Sequence, residues 1–128
     1  MGKLNKEVLD LIEGKNFASF ATIDENGYPH VTITWIDHDG DTILINTTTA
    51  RAKFKNVKNN SKIGIAIYSN ENPYRSAYIK GKVIGFDYEN ADAHIDKLAK
   101  KYLNLDKYPW RGNEKRVIIK IEPIKIVS

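Results

Sequence analysis

At 128 residues, 41% of them hydrophobic and 28% charged, the chain is long enough for one domain with a real core and too short for a second. It contains no cysteine, which excludes a disulfide framework, a thiol nucleophile and a thiolate metal site, and fits a cytoplasmic setting. No apolar run reaches the roughly 20 residues of a membrane span, the first residues lack the apolar core of a secretion leader, and a net charge of +4 brings anionic partners into view.

Leu4, Val8, Leu11 and Ile12 recur at the spacing of a short amphipathic helix that ends near Gly14. Phe17 to Ile23 predicts a strand, and Asp24-Glu25-Asn26-Gly27 a hairpin turn. From Tyr28 to Ile36, Val31, Ile33 and Trp35 alternate with His30, Thr32 and Thr34, giving a second strand with one apolar face and one polar, hydroxyl-rich face. Asp39-Gly40 predicts another tight turn and Asp41 to Thr47 a third strand, so these three strands should form an antiparallel meander. A helix follows from Thr49 or Ala50 to about Asn59, with Ala50, Phe54 and Val57 on one face and Arg51, Lys55 and Lys58 on another. Strands are expected over residues 61–68 and 76–86, with Gly81 marking a bend or bulge. A third helix carries Ala91, Ile95, Leu98 and Tyr102, and a last strand runs from Arg116 to about Ile126. The expectation is mainly β with flanking helices: a six-stranded antiparallel barrel, closed or nearly so, because so few strands need closure to remove their edges.

The charge is not evenly spread. Between Thr42 and Asn70 there is no Asp or Glu, while Arg51, Lys53, Lys55, Lys58 and Lys62 all fall in that window. Thr47, Thr48 and Thr49 lead directly into the basic segment that starts at Arg51. Hydroxyls, a helix start and uncompensated cations suit a phosphate ester. Lys55 and Lys58 also read as the solvated face of a surface helix. Arg51 and Lys53 lie where cations oppose the helix dipole, a conflict that a bound anion would resolve.

Elsewhere the chemistry is sparse. His30, His38 and His94 are scattered; His38, among Asp37, Asp39 and Asp41, lacks the glycine and distal glutamate of a calcium loop and reads as a solvated turn. His94 reads as a partly buried structural residue of the third helix. No metal site is expected, and no nucleophile–base arrangement or glycine-rich nucleotide loop occurs. An enzyme of this kind takes its chemistry from a cofactor, with no catalytic side chain of its own.

Gly-Tyr-Pro-His-Val at 27–31 running into the Thr-Ile-Thr-Trp of the meander, Arg-Ala-Lys-Phe-Lys-Asn-Val at 51–57, Glu-Asn-Pro-Tyr-Arg at 71–75 and Glu-Pro-Ile-Lys-Ile near the end occur in that order. In these the chain resembles the pyridoxamine 5′-phosphate oxidase-like family of FMN-binding split β-barrels, and within it the short deazaflavin (coenzyme F420)-dependent reductases. The resemblance spans nearly the whole chain. It implies a single-domain homodimer with two cofactor sites at the interface, binding F420 in preference to FMN and passing a hydride to or from a small organic acceptor. Thr47, Thr48, Arg51 and Lys53 match the family's phosphate-binding positions, and the strand from His30 to Trp35 would lie along the ring, with Thr32 and Thr34 hydrogen-bonding to it. Trp35 reads equally as core packing or ring contact. Tyr74, Tyr78 and Trp110-Arg111 are expected to close the site from the partner chain. The longer oxidases proper carry a C-terminal substrate-binding segment that is missing after Ser128, which argues against pyridoxal phosphate synthesis.

Two other readings stand beside this one. A non-catalytic flavin carrier or sensor on the same fold would bind cofactor without turnover. A small barrel binding single-stranded nucleic acid would use the Lys55–Lys58 face, but the basic residues are confined to one helix and only Phe54 is interleaved with them.

Overall fold

The structure, a computed structural model, describes residues 2–128. Helix α1 (Lys6–Glu13) starts where the Asn5 side chain accepts the Val8 N–H at 3.0 Å, and buries Val8, Leu11 and Ile12. Strands β1 (Ala18–Ile23) and β2 (Pro29–Thr34) form the expected hairpin across Asp24–Gly27. Next come β3 (Asp37–Asp39) and β4 (Thr42–Thr48), joined at Gly40, whose φ of +59° is the left-handed conformation such a tight turn requires. Helix α2 (Ala52–Asn59), β5 (Lys62–Tyr68), β6 (Ser76–Asp87), helix α3 (Ala91–Leu103) and β7 (Arg116–Val127) complete the order. Among the described residues, no helix is long and apolar enough to cross a membrane.

The fold is mainly β with three helices, as expected, but with seven strands rather than six. They form one antiparallel sheet in the order β2-β1-β5-β6-β7-β4-β3. The extra strand is β3, too short to stand out from a turn by composition. The expected meander also breaks after its first step: β4 pairs with β7, not with β2.

The sheet is not closed by hydrogen bonds. β2 and β3 are its two ends, and the chain itself crosses between them through Trp35 and Ile36. This is the split of a split barrel. Ile36 is fully buried at the crossing, where no ladder serves its backbone. Helix α3 serves it instead. The Tyr102 hydroxyl accepts the Ile36 N–H at 3.2 Å, and Lys101 Nζ donates to the Ile36 carbonyl at 2.9 Å. The same hydroxyl donates to the Asn16 carbonyl at 2.6 Å, tying the seam to the chain just after α1.

Inside the sheet, one cluster joins α1 to Phe20, Ile36, Ile43, Ile45, Ile65, Ile79 and Ile121. Gly81 sits at a register shift between β6 and β7, as expected of a bulge; a Cβ there would lie 2.8 Å from Ile121 Cγ2. Helix α3 packs over the outer faces of β4 and β7, where Leu44, Ala91 and Ile118 form a second cluster. That cover buries β4 on both faces. The alternation of β2 is observed but inverted relative to a core strand. Its apolar residues Val31 and Ile33 face outward, 58% and 67% exposed, while His30, Thr32 and Thr34 are half-buried.

Candidate functional site

A cleft of about 260 Å³ opens beside the split. β4 supplies Asn46, Thr47 and Thr48; the end of β2 and the residue after it supply Ile33, Thr34 and Trp35. Arg51 and Lys53 enter from the start of α2, Arg116 from β7, Ile95 from α3, and Tyr108 and Trp110 from the loop after α3. Six of the eight residues expected from the sequence therefore meet here: Thr34, Trp35, Thr47, Thr48, Arg51 and Lys53. His30 and Thr32 lie farther back along β2 and do not line this cleft.

The electrostatics are one-sided. Three cations line the cleft and no carboxylate does. Among the described residues, none lies within ion-pair distance of Arg51, Lys53 or Arg116. Arg51 is the N-cap of α2, with extended backbone and no side-chain cap, so the helix starts at Ala52 rather than at the Thr49 or Ala50 expected. Its first turn holds no acidic residue, leaving the positive end of the helix dipole unanswered. Lys53 is only 6% exposed. Burial, and then the charge of Arg51, push its ammonium down to about 8.

A second sign comes from Thr48, buried at the same end of the cleft. Its Oγ1 has no hydrogen-bond partner among the described residues, a condition shared only with Thr32 Oγ1 on β2. A buried hydroxyl without a partner costs about 1–3 kcal/mol, and its place beside unpaired cations makes it a donor suited to an anion. The donor set as a whole fits a phosphate handle: two guanidinium groups, one ammonium, threonine hydroxyls and free N–H groups at a helix start.

The far wall is aromatic. Trp35 stacks on Tyr102, with ring centroids 5.0 Å apart, and meets Tyr108 edge-on at 5.8 Å; Tyr108 in turn meets Trp110 edge-on at 5.7 Å. Trp35 thus does both things the sequence left open: one face packs on α3 while the side chain lines the cleft. Trp110 lines the cleft of its own chain. Arg111 does not line it and is tied to Asp92 at 3.2 Å and to Asp96. Tyr74 and Tyr78 are exposed and stand away from it.

Asn46, Arg116, Tyr108 and Ile95 were not expected at the site from the sequence. Arg116 opens β7 just before the apolar run Val117-Ile118-Ile119, but its nearness to Arg51 is created by the β4–β7 pairing, which no local pattern encodes. Asp37 also departs from expectation. It is half-buried rather than in a solvated turn, and its Oδ2 is 2.9 Å from His94 Nε2 and 3.1 Å from Lys97 Nζ. His94 is itself buried, as a structural residue should be.

A family model for pyridoxamine 5′-phosphate oxidase matches residues 4–128. Among solved structures, an F420 reductase is 27% identical with a TM-score of 0.81, the match covering 92% of this chain and 94% of that one. HupZ from Group A Streptococcus is 25% identical with a TM-score of 0.66, over 96% and 91% of the two chains. An FMN-binding protein from Syntrophomonas wolfei, 17% identical with a TM-score of 0.70 over 95% and 83%, is similar in fold alone. No curated protein matches by sequence.

Proposed function

The chain belongs to the pyridoxamine 5′-phosphate oxidase family, and from that premise we propose that it is an oxidoreductase passing a hydride between a flavin-type cofactor and a small organic acceptor. Coenzyme F420 is preferred to FMN, because the F420 reductase is the nearer in both identity and TM-score of the two cofactor-named structures described above. The observation that carries the reading is the cleft itself: Arg51, Lys53 and Arg116 without a carboxylate, beside the unpartnered Thr48 hydroxyl.

The protein's contributions follow from its side chains. Arg51, Lys53, Arg116 and Thr48 hold the phosphate, with Thr47 beside them. Thr34 and the unpartnered Thr32 hydroxyl offer hydrogen bonds to a ring lying along β2, with His30 at its far end. As the end strand of the sheet, β2 also leaves one row of backbone N–H groups outside any ladder, available to stabilise negative charge on a reduced ring. Trp35, Tyr108 and Trp110 exclude water from one side. The cofactor, when bound, supplies the hydride chemistry.

We further propose a homodimer. The cleft of one chain falls below the roughly 300–1,000 Å³ of a complete small-molecule site, and Val31, Tyr78 and Val127 line one shared outer surface, all of them more than half exposed. Such a patch is what an interface between copies would cover. A partner seated there would complete the cofactor site alongside the outward edge of β2.

The test is a fluorescence titration of purified protein with F420, FMN and riboflavin, followed by oxidation of the reduced cofactor with a panel of acceptors. Binding of F420 or FMN well above riboflavin, weakened ten- to a hundredfold by Arg51→Ala, is the expected result. Tight binding without turnover by any acceptor would turn the reading into a carrier or sensor. Absence of binding, with steep salt-dependent uptake of oligonucleotides, would overturn it.

A further inference from the structure

A line of hydrogen bonds crosses the wall of the cleft from outside to inside. Asp37 Oδ2 lies 2.9 Å from His94 Nε2, His94 Nδ1 lies 3.0 Å from Asn46 Nδ2, and Arg116 Nε donates to Asn46 Oδ1 at 2.8 Å. The four residues come from β3, α3, β4 and β7. His94 and Asn46 are only 8% and 7% exposed, in a wall otherwise built of Leu44, Ala91 and Ile118. Burying polar groups there costs free energy unless each is answered.

Every proton in this line is assigned by its ends. Arg116 Nε can only donate, and the Ala91 carbonyl, 2.9 Å from Asn46 Nδ2, can only accept. The amide of Asn46 therefore turns its oxygen to Arg116 and its nitrogen to both Ala91 and His94. His94 Nδ1 must then be an acceptor, and the ring proton sits on Nε2, pointing at Asp37. Asp37 is an ionised acceptor. Burial alone would raise its carboxyl, but hydrogen bonds from His94, the His38 backbone and Lys97 outweigh that and hold it well below the usual carboxylate range.

At the inner end, only the Nε side of the Arg116 guanidinium is engaged. Its Cζ lies over the Tyr108 ring, 4.9 Å from the ring centroid. Anchored at Nε and flanked by an aromatic face, the guanidinium lines the cleft with no bond at either Nη among the described residues, leaving free the pair that grips a phosphate with two parallel bonds. We infer that Asp37, His94 and Asn46 are positioning residues whose joint task is to aim Arg116 at the phosphate of the bound ligand. The inference rests on the reading of the cleft as a phosphate site. It extends that reading to three residues that do not themselves hold the ligand.

The experiment uses the full chain and three probes: FMN, riboflavin (the same ring without the phosphate) and inorganic pyrophosphate. Binding is read from the fluorescence of Trp35 and Trp110, both of which line the cleft. Arg116→Met is expected to weaken FMN and pyrophosphate about tenfold and to leave riboflavin nearly unchanged. Asn46→Leu should do the same, and the double variant should be no weaker than the weaker single one, since both remove one interaction. In wild-type protein labelled with ¹⁵N-histidine, His94 Nδ1 should report as unprotonated at neutral pH, a signature that general packing would not dictate. Equal loss of riboflavin and FMN, additive losses in the double variant, or a proton on His94 Nδ1 would each overturn the inference. Coupled losses for pyrophosphate without any flavin binding would leave it standing and overturn the cofactor assignment instead. No binding of any anion would overturn both. Should Asn46→Leu fail to fold, the histidine spectrum of the wild type decides alone.

Discussion

The indole of Trp35 lies flat on the ring of Tyr102, centroids 5.0 Å apart and planes within 5°. A cleft-lining side chain is thereby fixed by the residue whose hydroxyl closes the split beside Ile36. The wall of the site and the seam of the sheet are one piece of structure. Tyr102→Phe would keep the stack and remove the hydroxyl, leaving the buried Ile36 N–H and the Asn16 carbonyl without their partner. It is expected to destabilise the protein by about 1–3 kcal/mol, seen as a lower urea midpoint, while FMN affinity changes little.

Thr48 allows the opposite trade. Thr48→Val keeps the shape and removes a buried hydroxyl that has no partner among the described residues. The ligand-free protein should gain about 1 kcal/mol, while affinity for a phosphate-bearing ligand falls several-fold. Parallel thermal melts with and without pyrophosphate would reveal the crossing. A loss of stability in the free protein would show that the hydroxyl is already satisfied.

Lys53 sets a pH dependence. Its folded value of about 8 lies below its ordinary 10.5 because of burial and then Arg51. Below both values each state is protonated and the cost of the buried charge is fully present. Between them the unfolded chain holds a proton the folded chain has released, so stability of the ligand-free protein should rise with pH from about 8 to 10.5. Lys101, pushed down to about 8 by burial against the attraction of Asp37, adds in the same direction. Urea melts across that range should show the rise, smaller in Lys53→Met. Anion affinity should run the other way and fall as the ammonium is lost.

The outer face of β2 tests the proposed assembly. With Val31 and Val127 on one shared surface, Val31→Asp combined with Val127→Asp should shift sedimentation from dimer to monomer. Far-ultraviolet circular dichroism should remain that of a folded chain. Cofactor affinity should fall with the dimer if the partner completes the site. A monomeric wild type would end that proposal.

Much of this was legible in the sequence where the signals were local. The apolar stripe of α1, the Asp24–Gly27 turn and the run from Thr47 to Lys53 are written in adjacent residues, and so was the cationic end of the cleft. What stayed hidden was long-range or two-valued. Alternation along β2 defines two faces but not which one points inward, and a strand bearing an outward apolar face alternates just as a core strand does. Arg116 reaches Asn46 across 70 positions of chain, and only the β4–β7 pairing brings them together. Asp37, read as part of a loop, is a half-buried anchor because His94 and Lys97 of α3 meet it.

The placement of β7 has a consequence for how the molecule comes into being. It is the last strand in the chain, yet it sits between β6 and β4, so the β3–β4 hairpin gains its neighbour in the sheet only through it. Until those twelve residues leave the ribosome, β4 is a bare template for pairing with another chain. Such a topology slows completion of the sheet, because its decisive contacts are so distant in sequence.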